Sequence, residues 1–311
     1  EEVMAISDRL TVLREGRKVA TVSTADTHPR ELARMMVGRE VIFDVEKEII
    51  PRGKPVLEVR GLEARNDRKL EALKSVDLEV HAGEILGIAG VDGNGQSELA
   101  QNLTGLRKID RGEVRILGHN ATHRSPQDLI RMGTAHIPED RQRVGLILDM
   151  TVGENAVLEV HGRPPFSRMG FLDQKAISRF AEELISLYNV KTRGPDAPAG
   201  TLSGGNQQKL ILAREMSRNP RLLVAVHPSR GLDVGATEFV HRQLLARRKA
   251  GGAILLISTE LEEIFLLSDR IAVMYEGEIL GVFRTSEVTR ETVGLLMAGS
   301  RVRGHTGDPA E

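Results

Sequence analysis

The stretch from Gly83 to Gly105, GEILGIAGVDGNGQSELAQNLTG, constrains this chain more than any other. Ile85–Ala89 is a short apolar run of the kind that forms a buried strand. Gly90, Gly93 and Gly95 then let the chain turn tightly with its backbone exposed. Ser97 and Glu98 are expected to open a helix whose apolar positions include Leu99, Leu103 and Leu106. Strand, glycine loop and helix in this order aim successive N–H groups and a helix N-terminus at one anion, as in a phosphate-binding loop. Gly90 to Gly95 followed by Gln96 and Ser97 matches G-x-x-x-x-G-K-S/T with one departure. Gln96 stands where the pattern has lysine. Its amide can donate a hydrogen bond to phosphate but carries no charge, so the loop is expected to keep its shape and lose its cation. The plainer reading of this stretch alone is a glycine-rich turn, since glycine is frequent here at 31 residues.

The 311 residues are 40% hydrophobic and 28% charged, enough for one large domain or two. A formal net charge of −1 gives no pull toward nucleic acid or an anionic membrane surface. With no cysteine, disulfides and thiolate-bound metals are excluded. Neither a signal peptide nor an apolar run of about 18 residues is read, so no bilayer-spanning helix is expected. The first residue is Glu, which suggests a fragment or a processed chain.

Residues 1–38 resemble residues 262–299 when Glu1 is set against Glu262 without gaps. Ser7-Asp8-Arg9 then meets Ser268-Asp269-Arg270, Glu15-Gly16 meets Glu276-Gly277, Met36 meets Met297 and Gly38 meets Gly299. Each copy reads as helix end, strand (Leu10–Leu13 or Ile271–Met274), tight turn, second strand and short helix. The expected organisation is the tail of one domain (1–38), a charged linker (39–55), a complete related domain (56–299) and a loose tail (300–311). Within the complete domain, strands are expected at Val56–Val59, Val76–Val80, Val114–Leu117, Arg221–Val226 and Ala253–Ile257. Residues 151–218 change character. There Asp173 can cap a helix with Ile177, Phe180, Leu184 and Leu187 on one face. Strands alternating with helices imply an α/β fold with a mainly parallel sheet.

Two further stretches carry chemistry. In Leu202-Ser203-Gly204-Gly205-Asn206, Ser203 can cap a helix while the glycines let a phosphate approach backbone N–H groups; a bare glycine-containing cap is the alternative. Leu222–Val226 then runs into His227-Pro228-Ser229-Arg230-Gly231-Leu232-Asp233. With these three motifs in order, residues 56–299 resemble the ATP-binding cassette (ABC) family, and residues 1–38 resemble the end of such a cassette. Gly90–Ser97 is similar to its Walker A loop, Leu202–Asn206 to its signature, Leu222–His227 to its Walker B strand and Arg230–Asp233 to its D-loop. GVDGNGQSE, HIPEDR, GGNQQK and RGLDVG resemble the second cassette of fused-cassette subunits of bacterial sugar and nucleoside importers, the nucleoside branch more closely.

The resemblance implies a P-loop cassette with a mainly parallel core sheet, an antiparallel β subdomain and a helical subdomain at about 151–218. It implies nucleotide contacts from Gly90, Asp92, Gly93, Asn94, Gly95, Gln96, Ser97 and Glu98, with ATP and Mg²⁺ as cofactors. The departures imply a degenerate site. Gln96 replaces the lysine, Val226 the metal-binding Asp, His227 the catalytic Glu, Thr259 the switch His and Glu139 the Q-loop Gln; Ser97 is left as a weak metal ligand. A structural His227 is the plainer reading, since a lone His is more often structural; His227 acting as a base is the alternative. No aromatic residue lies in Asn66–Glu71 to stack adenine.

Leu202, Ser203, Gly204, Gly205 and Asn206 would then serve ATP held by a first cassette, of the same polypeptide or of a dimer partner, with Asp233 in the D-loop beside them. The implied role is the ATP-binding subunit of a sugar or nucleoside importer. It would sit peripherally on the cytoplasmic membrane face against permease subunits, meeting a solute-binding protein only indirectly and binding no nucleic acid. The permease contact is expected around Glu139–Arg141 and Gly145–Asn155. A non-hydrolysing nucleotide sensor and a soluble non-transport cassette are the other readings.

Overall fold

The computed structural model describes residues 2–14, 16–38 and 47–300. The first turn residue Glu15, most of the linker (39–46) and the tail 301–311 lie outside the described residues. In chain order the elements begin α1 (Glu2–Ile6), β1 (Arg9–Arg14), β2 (Arg17–Ser23) and α2 (Pro29–Val37). Then come β3 (Pro55–Arg65), β4 (Glu71–His81), β5 (Ile85–Ala89), α3 (Gln96–Leu103), β6 (Arg111–Ile116), β7 (His119–Asn120), α4 (Pro126–Arg131) and β8 (Thr134–Ile137). A middle region holds α5 (Val152–Val157), β9 (Ser167–Arg168), β10 (Phe171–Leu172), α6 (Gln174–Leu187) and α7 (Gly204–Ser217). The chain then forms β11 (Leu222–Val226), α8 (Val234–Lys249), β12 (Ala253–Ser258), α9 (Leu261–Leu267), β13 (Arg270–Tyr275), β14 (Glu278–Arg284) and α10 (Arg290–Met297).

The central sheet has the order β14-β13-β5-β12-β11-β8. Only the β13–β14 pair is antiparallel. Side chains of its strands alternate between two buried layers: Leu223, Ala225, Ile254 and Leu256 point to one, Leu222, Val224, Leu255 and Ile257 to the other. Burial on both faces is why these strands read as unbroken apolar runs. A four-stranded antiparallel sheet, β4-β3-β6-β7, closes one face together with α3. The fold is therefore α/β with a mainly parallel core, an antiparallel sheet and a helical region, as the family resemblance implied.

The two similar segments fold alike. In each, the hairpin register breaks one step before the strand end, between Val12 and Leu13 and between Val273 and Met274. Thr24 N–H donates to Asp8 O as Thr285 N–H donates to Asp269 O. Arg14 lies against Gly38 where Tyr275 lies against Gly299. Their surroundings differ: Ile6 is 84% exposed, whereas its counterpart Leu267 is fully buried against β5 and its neighbours.

Some local expectations are corrected. α3 ends at Leu103, and Leu106 is 52% exposed beyond it, because the chain turns at Gly105 (φ 75°). On α6, Asp173 does cap the helix by accepting from Ala176 N–H, and Ile177 and Leu184 are buried; Leu187, in the last turn, is 73% exposed. β3, β4 and β6 extend beyond the apolar runs, because ladder pairing with polar neighbours continues past them.

Candidate functional site

β5 delivers the glycine loop at the carboxyl edge of the sheet, where ligands of open α/β sheets gather. Gly93 and Gly95 adopt φ of 91° and 105°, which only glycine takes easily. A Cβ at Gly95 would stand 2.5 Å from Ala72 O. The loop is pinned from outside by the β13–β14 turn. Asn94 O accepts from Gly277 N–H at 2.9 Å, and Asn94 Oδ1 from Glu276 N–H at 2.8 Å.

Gln96 does not reach outward. Its side chain is buried under its own loop, with Oε1 accepting from Asn94 N–H at 3.0 Å and Nε2 donating to Val91 O at 3.0 Å. The lost charge is thus replaced by an internal brace. The amides at the start of α3 keep no acceptor within the helix and face the loop mouth.

Around that mouth stands a ring of charges. Ser97 Oγ donates to Glu139 Oε2 at 3.0 Å. Arg230 Nη1 donates to Glu139 Oε1 at 3.3 Å, and Arg230 Nη2 lies 3.8 Å from Asp92 Oδ2. His227 Nε2 lies 3.6 Å from Asp92 Oδ1. His227 is held at a φ of 45°, with its N–H donating to Ile257 O. Val226 is buried at the end of β11, and Thr259 is half-buried at the end of β12. Glu98, in the first turn of α3, is half-buried.

Beside Glu139, Asp140 caps a π-helical turn, Arg141–Gly145, by accepting from Gln142 and Arg143 N–H groups. The bond from the Arg143 amide holds the Asp140 carboxyl below its ordinary pKa. Arg141 Nη1 donates to Arg230 O at 3.0 Å and packs near Gly204, so it ties this segment to both other motifs.

Ser97 and Glu139 form an oxygen donor set of the kind that suits Mg²⁺. Ser97 Oγ and Glu139 Oε2 are separated by 3.0 Å, close to the edge of about 3 Å expected between adjacent octahedral ligands of a small cation. These two residues would hold the ion, beside phosphate and water oxygens. Glu139 would thus add a carboxylate to the Ser97 hydroxyl expected alone, while Arg230 donates to that carboxylate's other oxygen.

The second motif lies elsewhere. Ser203 has the backbone of an N-cap for α7, but its side chain makes no cap bond; its Oγ accepts from Asn206 Nδ2 at 2.8 Å. Gly205 passes close to α8, where a Cβ would meet Ala236 Cβ at 3.2 Å. Asp233 caps α8 by accepting from Ala236 N–H at 2.9 Å. Leu202 is buried in the core under this turn. Ser203, Gly205, Asn206 and Asp233 line a cavity of about 490 Å³ that Leu13, Arg14 and Met36 also line. Lys209 also lines it; burial lowers the pKa of that amine despite the pull of Asp233. The sequence placed Arg141 in the expected permease contact and Arg230 in the D-loop, but gave neither of them, nor Lys209, a part at the nucleotide sites. The signal available was a cation inside each quoted motif.

A protein-family model described as ABC transporter matches residues 73–228, half of the chain. The chain belongs to the ABC transporter family. Among its relatives, the guanosine import ATP-binding protein NupO of Bacillus subtilis is 48% identical over 95% of this cassette chain and 58% of its own length. The nucleoside import ATP-binding protein NupA of Lactococcus lactis is 44% identical, over 97% of the cassette chain and 60% of its own length. The glucose import ATP-binding protein TsgD13 of Haloferax volcanii is 47% identical, over 99% and 58%. The cassette chain therefore spans about three-fifths of the length of these relatives. Among solved structures, a nucleotide-free ATP-binding cassette of an ABC transporter aligns with a TM-score of 0.65 at 23% identity, covering 79% of this chain and 96% of that one. A dimeric post-hydrolysis cassette bound to ADP and Pi aligns at 0.62 and 21%, covering 74% and 98%. Both show the fold.

Proposed function

We propose that this chain is the second-cassette half of the ATP-binding subunit of a nucleoside or sugar importer, peripheral to the membrane and docked on permease subunits. It lends its signature to a hydrolytic site completed by a first cassette, of which residues 1–38 are the C-terminal end. The observation that carries this reading is the 490 Å³ cavity. In the complete copy, the turn after β13 braces the glycine loop through Glu276 and Gly277. The matching turn after β1 begins at Arg14, which lines the same cavity as Ser203 and Gly205. A glycine loop braced by that turn would therefore stand beside the cavity that this signature lines. The relatives named for nucleoside and sugar import support the substrate class.

In that site the N-terminus of α7, 14 residues long, adds partial positive charge beside the Gly204 and Gly205 amides. Donors placed where charge builds on a transferring phosphoryl group act on rate, not only on binding. Ser203 and Gly204–Gly205 would orient and stabilise that group; Asp233 would hold α8 and the D-loop in register. When bound, Mg²⁺ would offset phosphate charge. This chain's own loop has neither the Walker B carboxylate nor the catalytic Glu, so a non-hydrolysing sensor site is the companion reading for it.

The test is a pair of variants in the assembled importer. Ser203→Arg is expected to lower ATPase turnover and uptake by roughly 10²–10³, as loss of a preorganised donor does. Gln96→Ala is expected to change turnover little. The opposite ranking would show that the active and degenerate sites have been exchanged.

A further inference from the structure

From the charge ring at the glycine loop we infer that Arg230 is a tethered cation that lets this site hold a nucleoside di- or triphosphate without a divalent metal. The inference rests on reading this loop as a nucleotide site and adds the source of its positive charge. No lysine lies between Gly90 and Ser97, and the side chain that replaces it is spent on Asn94 N–H and Val91 O. Asp92 and Glu139 place two carboxylates at the mouth, and Glu98 adds a third acid in the first turn of α3. Left alone, they would repel a polyphosphate.

Arg230 answers this. Its guanidinium bridges Asp92 on the loop and Glu139 on the segment after β8, so it spans the mouth. It is half-exposed, and its contacts of 3.8 and 3.3 Å leave donors that a phosphate can take. Its backbone is fixed at both ends of the peptide: Arg230 N–H donates to His227 O, and Arg230 O accepts from Arg141. A guanidinium held this way matches phosphate oxygens in pairs, a geometry that a mobile ammonium lacks.

The same carboxylate is also half of the metal pair. Ser97 and Glu139 suit a divalent ion only when Glu139 is shared with, or released by, Arg230. A metal and Arg230 therefore contend for one group, and either can neutralise the phosphates.

The experiment is calorimetric titration of the 311-residue chain with ADP and ATP, in excess Mg²⁺ and in EDTA. The wild-type affinity is expected to differ by less than about threefold between the two conditions. Arg230→Gln is expected to lose about tenfold or more in EDTA, as loss of a charge-assisted hydrogen bond would, and to recover most of it in Mg²⁺. Arg230→Lys keeps the charge and is expected to fall between them. Glu139→Gln frees the guanidinium and is expected to tighten binding in EDTA while blunting any Mg²⁺ effect. Wild-type binding that strengthens tenfold or more with Mg²⁺, with Arg230→Gln unchanged in EDTA, overturns the inference alone. No binding at millimolar nucleotide under either condition overturns the nucleotide-site reading beneath it.

Discussion

The behaviour of the site turns on single side chains whose direction decides their role. Gln96 faces into its loop, so removing it should be felt in stability before ligand binding. Gln96→Ala leaves Asn94 N–H and Val91 O without partners under the loop. The expected loss is about 1–3 kcal/mol of unfolding free energy, read from urea titration; an unchanged midpoint would mean the amide is not a brace. Glu159 gives a second prediction. Burial first, and then the neighbouring Glu215, push its pKa up to about 7. Both carboxylates converge on Arg218 Nη2, at 2.6 and 2.5 Å, while Glu215 is also held by Arg214. An acid whose folded pKa is raised supports the fold while protonated and withdraws that support as pH climbs from about 4.5, its unfolded value, through 7. Glu159→Gln should therefore raise the melting temperature at pH 8 and leave it nearly unchanged at pH 5. A gain of equal size at both pH values would point to packing instead.

At the level of elements, the segment between Gly145 and Asn155 shows how far an apolar pattern can be read. Leu146 and Val152 belong to the core, while Val144, Ile147 and Met150 face outward. Asn155, fully buried, fixes the bend: Oδ1 accepts from Ile147 N–H, and Nδ2 donates to Ile147 O and Thr151 O. The surface left outside is narrower than the run of apolar letters suggests, and Asp149 stands on it exposed. A cross-linker on Asp149 in the assembled importer is expected to reach a cytoplasmic permease loop; consistent capture of the solute-binding protein would reverse the orientation. The same limit governs the rest of the chain. β5, β11 and β12 are legible because burial on both faces writes itself as continuous apolar runs. The exposure of Leu187 is not, because helical periodicity marks a face and not where the neighbouring element stops. The loop's shape is legible from Gly93 and Gly95; the inward turn of Gln96 is not, since an amide can satisfy either direction. Arg230 meets Glu139 across 91 positions, a pairing that no local spacing encodes.

For the molecule as a whole, the duplicated hairpin offers an internal control. Val3, Ile6, Leu13 and Met36 are exposed where Ile264, Leu267, Met274 and Met297 are buried, although the two segments share pairings and turn geometry. The same local structure thus stands once inside a core and once beside a cavity, in keeping with the proposal that residues 1–38 end a first cassette. The close passage of α7 over α8 carries a consequence for genetics. Gly205 is crowded by Ala236 within this chain, and Gly204 by Arg141, before any other cassette is considered. Loss of function from enlarging either glycine would not by itself identify a nucleotide contact. The informative genotype at 204 is a double one, with Arg141 trimmed in the same allele: suppression would assign the defect to crowding at home, and persistence would assign it to the neighbour across the cavity.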